Sequence, residues 1–540
     1  MAIVLVGLAY ATLIESFSWN QTSHFDLLRA LYNGTTQIDA YQTNTGDKVH
    51  YHGHWYSVRA PGLALFALPW YTLLQAVDAD EWAYHSRAQR GDNELIYLVG
   101  LWGNVLPGLA LMLLLAAAAE RLQPGFGAAT AVTFGLGTLA LPLSTLLFSH
   151  IFTACLGFAA FVLLMRERDG PPRVWPAATA GLLVGYAIAS EYPLAFVAVV
   201  LGAYLVSRRD ALSPAWVKRR GGAYLLGALV GVAPLLIYND LAFHSLFHLA
   251  YANVERQQQG FFGIGAPSLP VLATLLLDSR GLLTLSPVLV LGGLGTVALY
   301  RRGQRAEALA ITAICLCYAL YASGYYLPFG GAFAGPRFLA TLLPFLALPL
   351  AIAFRRWPGP TIALAAASVT CMVLATITHP LVGYETETVT WMRRLLAGRL
   401  QPTIASAFGL GFGWGAIWPF LLAAGAGGAL AIAASSRVVL TRASLKAGVL
   451  TLAAWALFAA LGPTLLGLDH RGLLDTFRSG DAAALSKGAY WGAYPLRELV
   501  PLASVAGLLA LGAARLWRCE LPRRRTTPTG GAQAVELPCP

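Results

Sequence analysis

Apolar stretches of about 20 residues follow one another from the first residue almost to the last, each long enough to cross roughly 30 Å of hydrocarbon as a helix. A chain of this kind takes the bilayer as its solvent. There every backbone amide is satisfied inside its own segment or in a closed barrel, and Leu/Ala/Val/Phe runs without two-residue alternation select the helix. The expected fold class is therefore all-α, a polytopic transmembrane helix bundle of about 12 or 13 spans. Composition agrees: 57% of residues are hydrophobic and 12% charged, against roughly 45–50% and 25% in soluble domains.

The net charge of +11 would suggest nucleic acid in a soluble protein, but here the arginines cluster in short gaps between apolar runs, where they act as topology signals. No nucleic-acid partner is expected; membrane lipids are. By the positive-inside rule Arg166 to Arg173, Arg208 to Arg220, Arg301 to Arg305, Arg355 to Arg356, Arg437 to Lys446 and Arg515 to Arg525 read as cytoplasmic. The stretches near Glu191, Tyr238 to Ser286, Gly324 to Arg337, His379 to Phe408 and Leu468 to Leu496 read as external, as does the polar gap Trp19 to Pro61. With Trp19 to Pro61 outside and Arg166 inside, one apolar stretch between them must fail to cross. It is either Gly62 to Gln75, short and proline-bearing, or part of Ala128 to Met165, which divides near His150. The segment Ala2 to Ser18 has no basic stretch before it and no small-residue cleavage site after it, so it reads as a retained first helix.

Six cysteines (Cys155, Cys315, Cys317, Cys371, Cys519, Cys539) show neither metal-ligand spacing nor a disulfide framework. No metal and no cofactor is expected. The tail after Arg525, rich in Pro, Gly and Thr, reads as disordered.

Polar groups beside a membrane core are expensive, so their clustering points to function. The richest cluster is the first external gap. It contains Ser23-His24-Phe25-Asp26, then Ile38-Asp39-Ala40-Tyr41, Thr45-Gly46-Asp47-Lys48, and Tyr51-His52-Gly53-His54-Trp55-Tyr56-Ser57-Val58-Arg59-Ala60-Pro61-Gly62. Asp26 falls a few residues past the first helix, where a carboxylate can face an acceptor hydroxyl as general base; the alternative is that it caps a short helix along the membrane surface. His50, His52 and His54 alternate with aromatics and share one face only in a strand, so a solvated loop or sugar-contacting surface is expected rather than a metal site. Gly335-Pro336-Arg337 lies at an external helix start, where an arginine fork and free amides suit a phosphate. The alternative is that Arg337 snorkels from a helix end. Arg280 and Arg59 carry the same two readings, and Glu191 either orients an acceptor or bonds within the bundle.

The run His24-Phe25-Asp26 after a first helix, followed by Tyr56-Ser57-Val58-Arg59-Ala60-Pro61-Gly62 opening the next, resembles the GT-C superfamily of polyprenyl-phosphate-dependent glycosyltransferases, and more closely its bacterial members related to protein O-mannosyltransferases. Ser190-Glu191-Tyr192-Pro193, Tyr238-Asn239-Asp240 with Phe243, Arg280-Gly281-Leu282-Leu283 with Ser286-Pro287, and Gly330 to Phe338 extend the resemblance over roughly the first 345 residues. It implies a catalytic transmembrane module over residues 1–345 that includes an external loop 19–61; the apolar runs and the positive-inside rule add further transmembrane helices over 346–518 and a cytoplasmic tail at 519–540. The resemblance also implies a glycosyltransferase, hexosyl or pentosyl, of the inner (plasma) membrane, taking its sugar from a polyprenyl-phosphate donor to a glycan, lipid or protein acceptor with inversion. Asp26 matches the family's catalytic base, with Asp39 and Asp47 as candidate partner carboxylates. His24, Tyr56, Arg59, Glu191, Tyr192, Arg280 and Arg337 are the expected substrate-binding residues. A transporter or lipid-linked-glycan flippase is the alternative from another class; it would show inverted repeats and ionisable groups at the midplane, and neither is present in the sequence.

Overall fold

The computed structural model describes residues 1–79, 93–208, 213–254, 257–258, 260–381, 387–435 and 440–468. Leu468 to Leu496 (beyond its first residue), Arg515 to Arg525, Cys519, Cys539 and the tail lie outside the described residues, as does part of the Arg208 to Arg220 and Arg437 to Lys446 gaps. The described chain is an all-α polytopic bundle. Six helices are long and apolar enough to cross a membrane: Glu94–Leu122, Ser149–Arg168, Pro214–Phe243, Arg305–Gly324, Pro358–Thr378 and Arg442–Leu465. Two further segments, Leu269–Leu285 with Val288–Arg301 and Arg337–Ala347 with Leu350–Arg356, bend by 90° and 54°. Pro287 and Pro349 stand at the two bends, where a proline lacks the amide an unbroken helix needs. Six shorter apolar helices complete the set.

Small residues let the backbones approach. Gly181 and Gly185 on the Val174–Ser190 helix meet Gly227 and Gly231 on Pro214–Phe243 so closely that a Cβ on Gly181 would lie 2.0 Å from the Tyr224 carbonyl oxygen, and one on Gly185 2.2 Å from that of Ala228. Between lipid-soluble helices such contact replaces the hydrophobic driving force that water would provide.

Ion pairs tie the arginine-rich gaps to one end of the bundle. Glu167 accepts from Arg220 at 2.5 Å and lies 3.4 Å from Arg208, Arg168 is 3.6 Å from Glu307, and Arg121 pairs with Asp169. At the opposite end lies the polar segment after the first helix, Ala2–Thr12. It forms a second helix, Trp19–Tyr32, opened by a capping box between Ser18 and Gln21, and then an antiparallel hairpin of β1 (Lys48–Tyr51) and β2 (His54–Ser57). His52 and Gly53, with φ of 48° and 89°, supply the left-handed pair that a two-residue turn requires. The expected histidine loop is thus a hairpin, with His50, His52 and His54 all exposed; among the described residues no group of three metal-ligating side chains forms.

The third helix, Gly62–Gln75, is one of the two stretches that the parity of the spans leaves open. Gly62 abuts Ala189 and Ser190 at the polar end of the bundle. From there the helix runs back along the start of Glu94–Leu122, with Trp102 donating to the Phe66 carbonyl at 3.1 Å and Trp70 to that of Leu98 at 2.8 Å. Tyr97, nearby, bonds Ala11 at the outer end of the first helix. Gly62–Gln75 therefore runs from the Ser190 level antiparallel to the start of Glu94–Leu122, and at 14 residues it is among the shorter apolar helices. Ala128 to Met165 does divide, into Gly127–Gly137, Ala140–Thr145 and Ser149–Arg168.

Replacing Gly185 by Leu should lower the thermal unfolding midpoint by an amount equivalent to about 1–3 kcal/mol of overpacking. Gly221→Ala, where an added Cβ meets nothing within 4 Å, should leave the midpoint unchanged or raise it slightly.

Candidate functional site

The polar end encloses a cavity of about 550 Å³ lined by three separate parts of the chain: Ser18 to Asn20 with Gly46 to Lys48 and Val58-Arg59, then Tyr251, Val254 and Gln257, then Tyr325 to Leu327, Gly330 to Ala332 and Arg337-Phe338. Arg59 and Arg337 are its cationic groups of interest. Arg59 pairs with Asp47, which also lines the wall, and in the amide orientation that satisfies both groups the Asn20 oxygen accepts from both Arg59 terminal nitrogens at 3.2 Å. Arg337 is 7% exposed. Its guanidinium lies over the rings of Phe148 (5.1 Å) and Phe338 (5.5 Å), and it passes Gly330 so closely that a Cβ there would meet its Nε at 2.5 Å. Gly330 also has φ of 81°, so glycine is required twice over. The Arg337 amide donates to the Phe329 carbonyl at 3.4 Å and opens only a six-residue 3₁₀ turn. The guanidinium, not a helix terminus, is what this position offers a ligand.

The Nε atoms of Arg59 and Arg337 are buried without a hydrogen-bond partner among the described residues. Each such donor costs on the order of 1–3 kcal/mol, and an anion in the cavity would recover that cost.

Beside Arg337 lies a second polar cluster. His150 Nδ1 is 2.5 Å from Glu191 Oε1, and Thr153 Oγ1 donates to Oε2 at 2.9 Å. Burial on its own would raise the Glu191 pKa; His150, Thr153 and Arg337 outweigh it and hold the carboxyl below its usual range. Tyr192 meets Tyr251 edge to face at 5.2 Å. Burial raises the Tyr251 phenol, although Arg59 and Arg337 act in the opposite sense.

His24, on the second helix, is 2% exposed and neighbours Arg59, His150 and Arg337; burial first, then these three, hold its pKa well below the usual histidine range. Asp26 is fully buried and accepts from Asn44 at 3.2 Å. At 100° per residue it stands roughly 200° around the helix from His24, and it is not among the residues lining the cavity. Asp39 holds the hairpin: the Trp55 amide and His54 bond it at 2.7 Å and, against the effect of burial, keep its pKa below the usual carboxylate range. Tyr56 packs on Phe243. Arg280 is 0% exposed and gives its hydrogen bonds to the carbonyls of Gly331 and Phe333, bracing the turn before Arg337. Thus Arg59, Asp47 and Arg337 line the cavity; His24, Glu191 and Tyr192 lie behind its lining, within electrostatic reach of the arginines, and Asp26, Asp39, Tyr56 and Arg280 are likewise not among the lining residues.

Two site-end residues escaped the reading of the sequence. His150 sits inside an apolar run, 41 positions from the carboxylate it pairs with. Glu15, immediately past the first helix, is 6% exposed and accepts from Thr145 at 3.1 Å. Its signal was available: it is the first acidic residue of the chain, directly after an apolar run.

No protein-family model matches the sequence, and no curated protein matches it. Among solved structures the chain is similar to ArnT from Cupriavidus metallidurans bound to undecaprenyl phosphate, at 14% identity and a TM-score of 0.44 over 95% of this chain and 76% of that one. It is also similar to the Archaeoglobus fulgidus oligosaccharyltransferase in the apo form, at 10% identity and a TM-score of 0.40 over 94% of this chain and 63% of that one.

Removing one member of a buried ion pair leaves the other uncompensated, so His150→Leu should destabilise the protein by about 3–5 kcal/mol in chemical unfolding. Glu191→Gln should cost less. Because the native setting lowers the Glu191 pKa, its ionised form adds stability above the ordinary carboxylate range, and that part is lost as pH falls through the lowered value. The wild-type melting temperature should therefore drop more steeply in acid than that of Glu191→Gln.

Proposed function

We propose that the protein is a GT-C-type membrane glycosyltransferase that moves a sugar from a polyprenyl-phosphate donor to an acceptor hydroxyl at the external face of the inner (plasma) membrane. The observation that carries this reading is the pair Arg59 and Arg337, two guanidiniums of one cavity whose Nε donors are buried without a partner among the described residues, together with the carboxylate Asp47. Guanidiniums bond phosphate oxygens in a fixed fork. The cavity sits at the end of the bundle opposite the arginine-rich gaps, which accords with an external site.

In this reading the acceptor oxygen attacks the anomeric carbon in line, with inversion. Its proton passes to a carboxylate, the bond between the anomeric carbon and the phosphate oxygen breaks, and the electron pair stays on that oxygen. The leaving prenyl phosphate gains one negative charge, which Arg59 and Arg337 offset. Among the carboxylates of the external segment, Asp47 is favoured as proton acceptor because it faces the cavity. Asp26, the residue matched by the family resemblance, is the alternative proton acceptor; it is buried and bonded by Asn44. The acceptor is a glycan, lipid or protein hydroxyl.

The test is transfer or hydrolysis of radiolabelled polyprenyl-phosphate sugars by the purified full chain. Arg337→Ala and Asp47→Asn should each lower turnover by about 10²–10⁴-fold with the fold intact. Asp26→Asn assayed in parallel decides between the carboxylates. Absence of activity with every donor, or full activity in Arg337→Ala, would sink the reading.

A further inference from the structure

Behind the cavity lining lies a further buried group with no partner among the described residues, the imidazole of His24. His24 lies one helical turn beyond Asn20, a wall residue that itself holds Arg59, so the two side chains share a face of the second helix. Both ring nitrogens of His24 are buried without a hydrogen-bond partner among the described residues. A neutral imidazole carries one donor and one acceptor, and buried polar atoms in native proteins nearly always find partners. Two carboxylates of the site end have other partners: Glu191 receives His150 and Thr153 on its two oxygens, and Asp47 receives Arg59. The positive charges of Arg59 and Arg337 act on His24, and they draw an anion toward this end of the second helix and disfavour a further proton on the ring.

We infer that His24 is a third ligand of the donor phosphate, giving one N–H to a phosphate oxygen while Arg59 and Arg337 supply the charge. This rests on the reading of the site as a prenyl-phosphate cavity and assigns the residue that completes it. His24 thereby acts without altering the charge of the site. The neutral donor fixes the phosphate's orientation, and with it the direction in which the bond to the sugar is presented to the acceptor.

The experiment measures binding of farnesyl phosphate, with farnesol and inorganic phosphate as separate arms, to the purified full chain in detergent. His24→Leu should weaken farnesyl phosphate roughly ten- to a hundredfold and leave farnesol unchanged. His24→Gln, which keeps an N–H, should bind within a few-fold of wild type. The leucine variant should melt no lower than wild type, because it removes a buried polar group that lacks a partner. A second measurement needs no altered binding site: in ¹⁵N-histidine-labelled wild type, farnesyl phosphate should shift a ring-nitrogen resonance that disappears in His24→Gln. Normal binding by His24→Leu while Arg337→Ala loses it would overturn the role of His24 and leave the functional reading standing. Normal binding by both would overturn both. Equal weakening in His24→Leu and His24→Gln, or no shift of the His24 resonance, would make His24 a space-filling residue and overturn the inference.

Discussion

Charge taken out of water is the constraint on which the site end depends. Arg59, Asp47, Arg337, Glu191 and His150 converge where the bundle leaves little solvent, and a buried charge persists only where a partner or a ligand offsets its desolvation. The chain answers with two pairings, Arg59 with Asp47 and His150 with Glu191, and leaves Arg337 between them on a bed of aromatic rings. Its Nε donor and that of Arg59 have no partner among the described residues.

Local structure sets that arrangement. The capping box fixes where the second helix begins, the His52-Gly53 turn fixes the hairpin register, and Ser23 bonds both Ser57 and the Asp47 carbonyl. Together they hold Asp47 and Arg59, twelve positions apart, against one wall. Across the cavity Arg280 braces the carbonyls of the turn at Gly331 and Phe333, and that turn delivers Arg337. Of the two readings the sequence leaves open for Arg280, the bonds to these carbonyls fit the structural one.

The polar motifs were legible because charge and aromatic residues are rare in this chain and stand out against apolar runs. Arg59, Asp47, Arg337, Glu191 and Tyr192 were all marked in that way, and all gather at one end. Ranking them was another matter. Asp26 and His24 are two residues apart and equally conspicuous in sequence, yet a helix turns them roughly 200° from each other. His24 lies on the helix face of Asn20, which holds Arg59, while Asp26 is bonded by Asn44. His150 went unmarked because a lone histidine in an apolar run has no local signal of the carboxylate it will meet.

Amino-acid order by itself determined the solvent, the helical class, the end of the bundle that carries arginine and the polar segments that make the opposite end, since each follows from transfer energies and backbone satisfaction summed over one segment at a time. Tertiary structure alone decided that Gly62–Gln75 lies antiparallel against the start of Glu94–Leu122, that Arg280 bonds the carbonyls of a turn, and that Asp47 rather than Asp26 lines the cavity. Those outcomes depend on which helix faces meet and at what depth. They are set by contacts between residues far apart in the chain, which no single segment's pattern encodes.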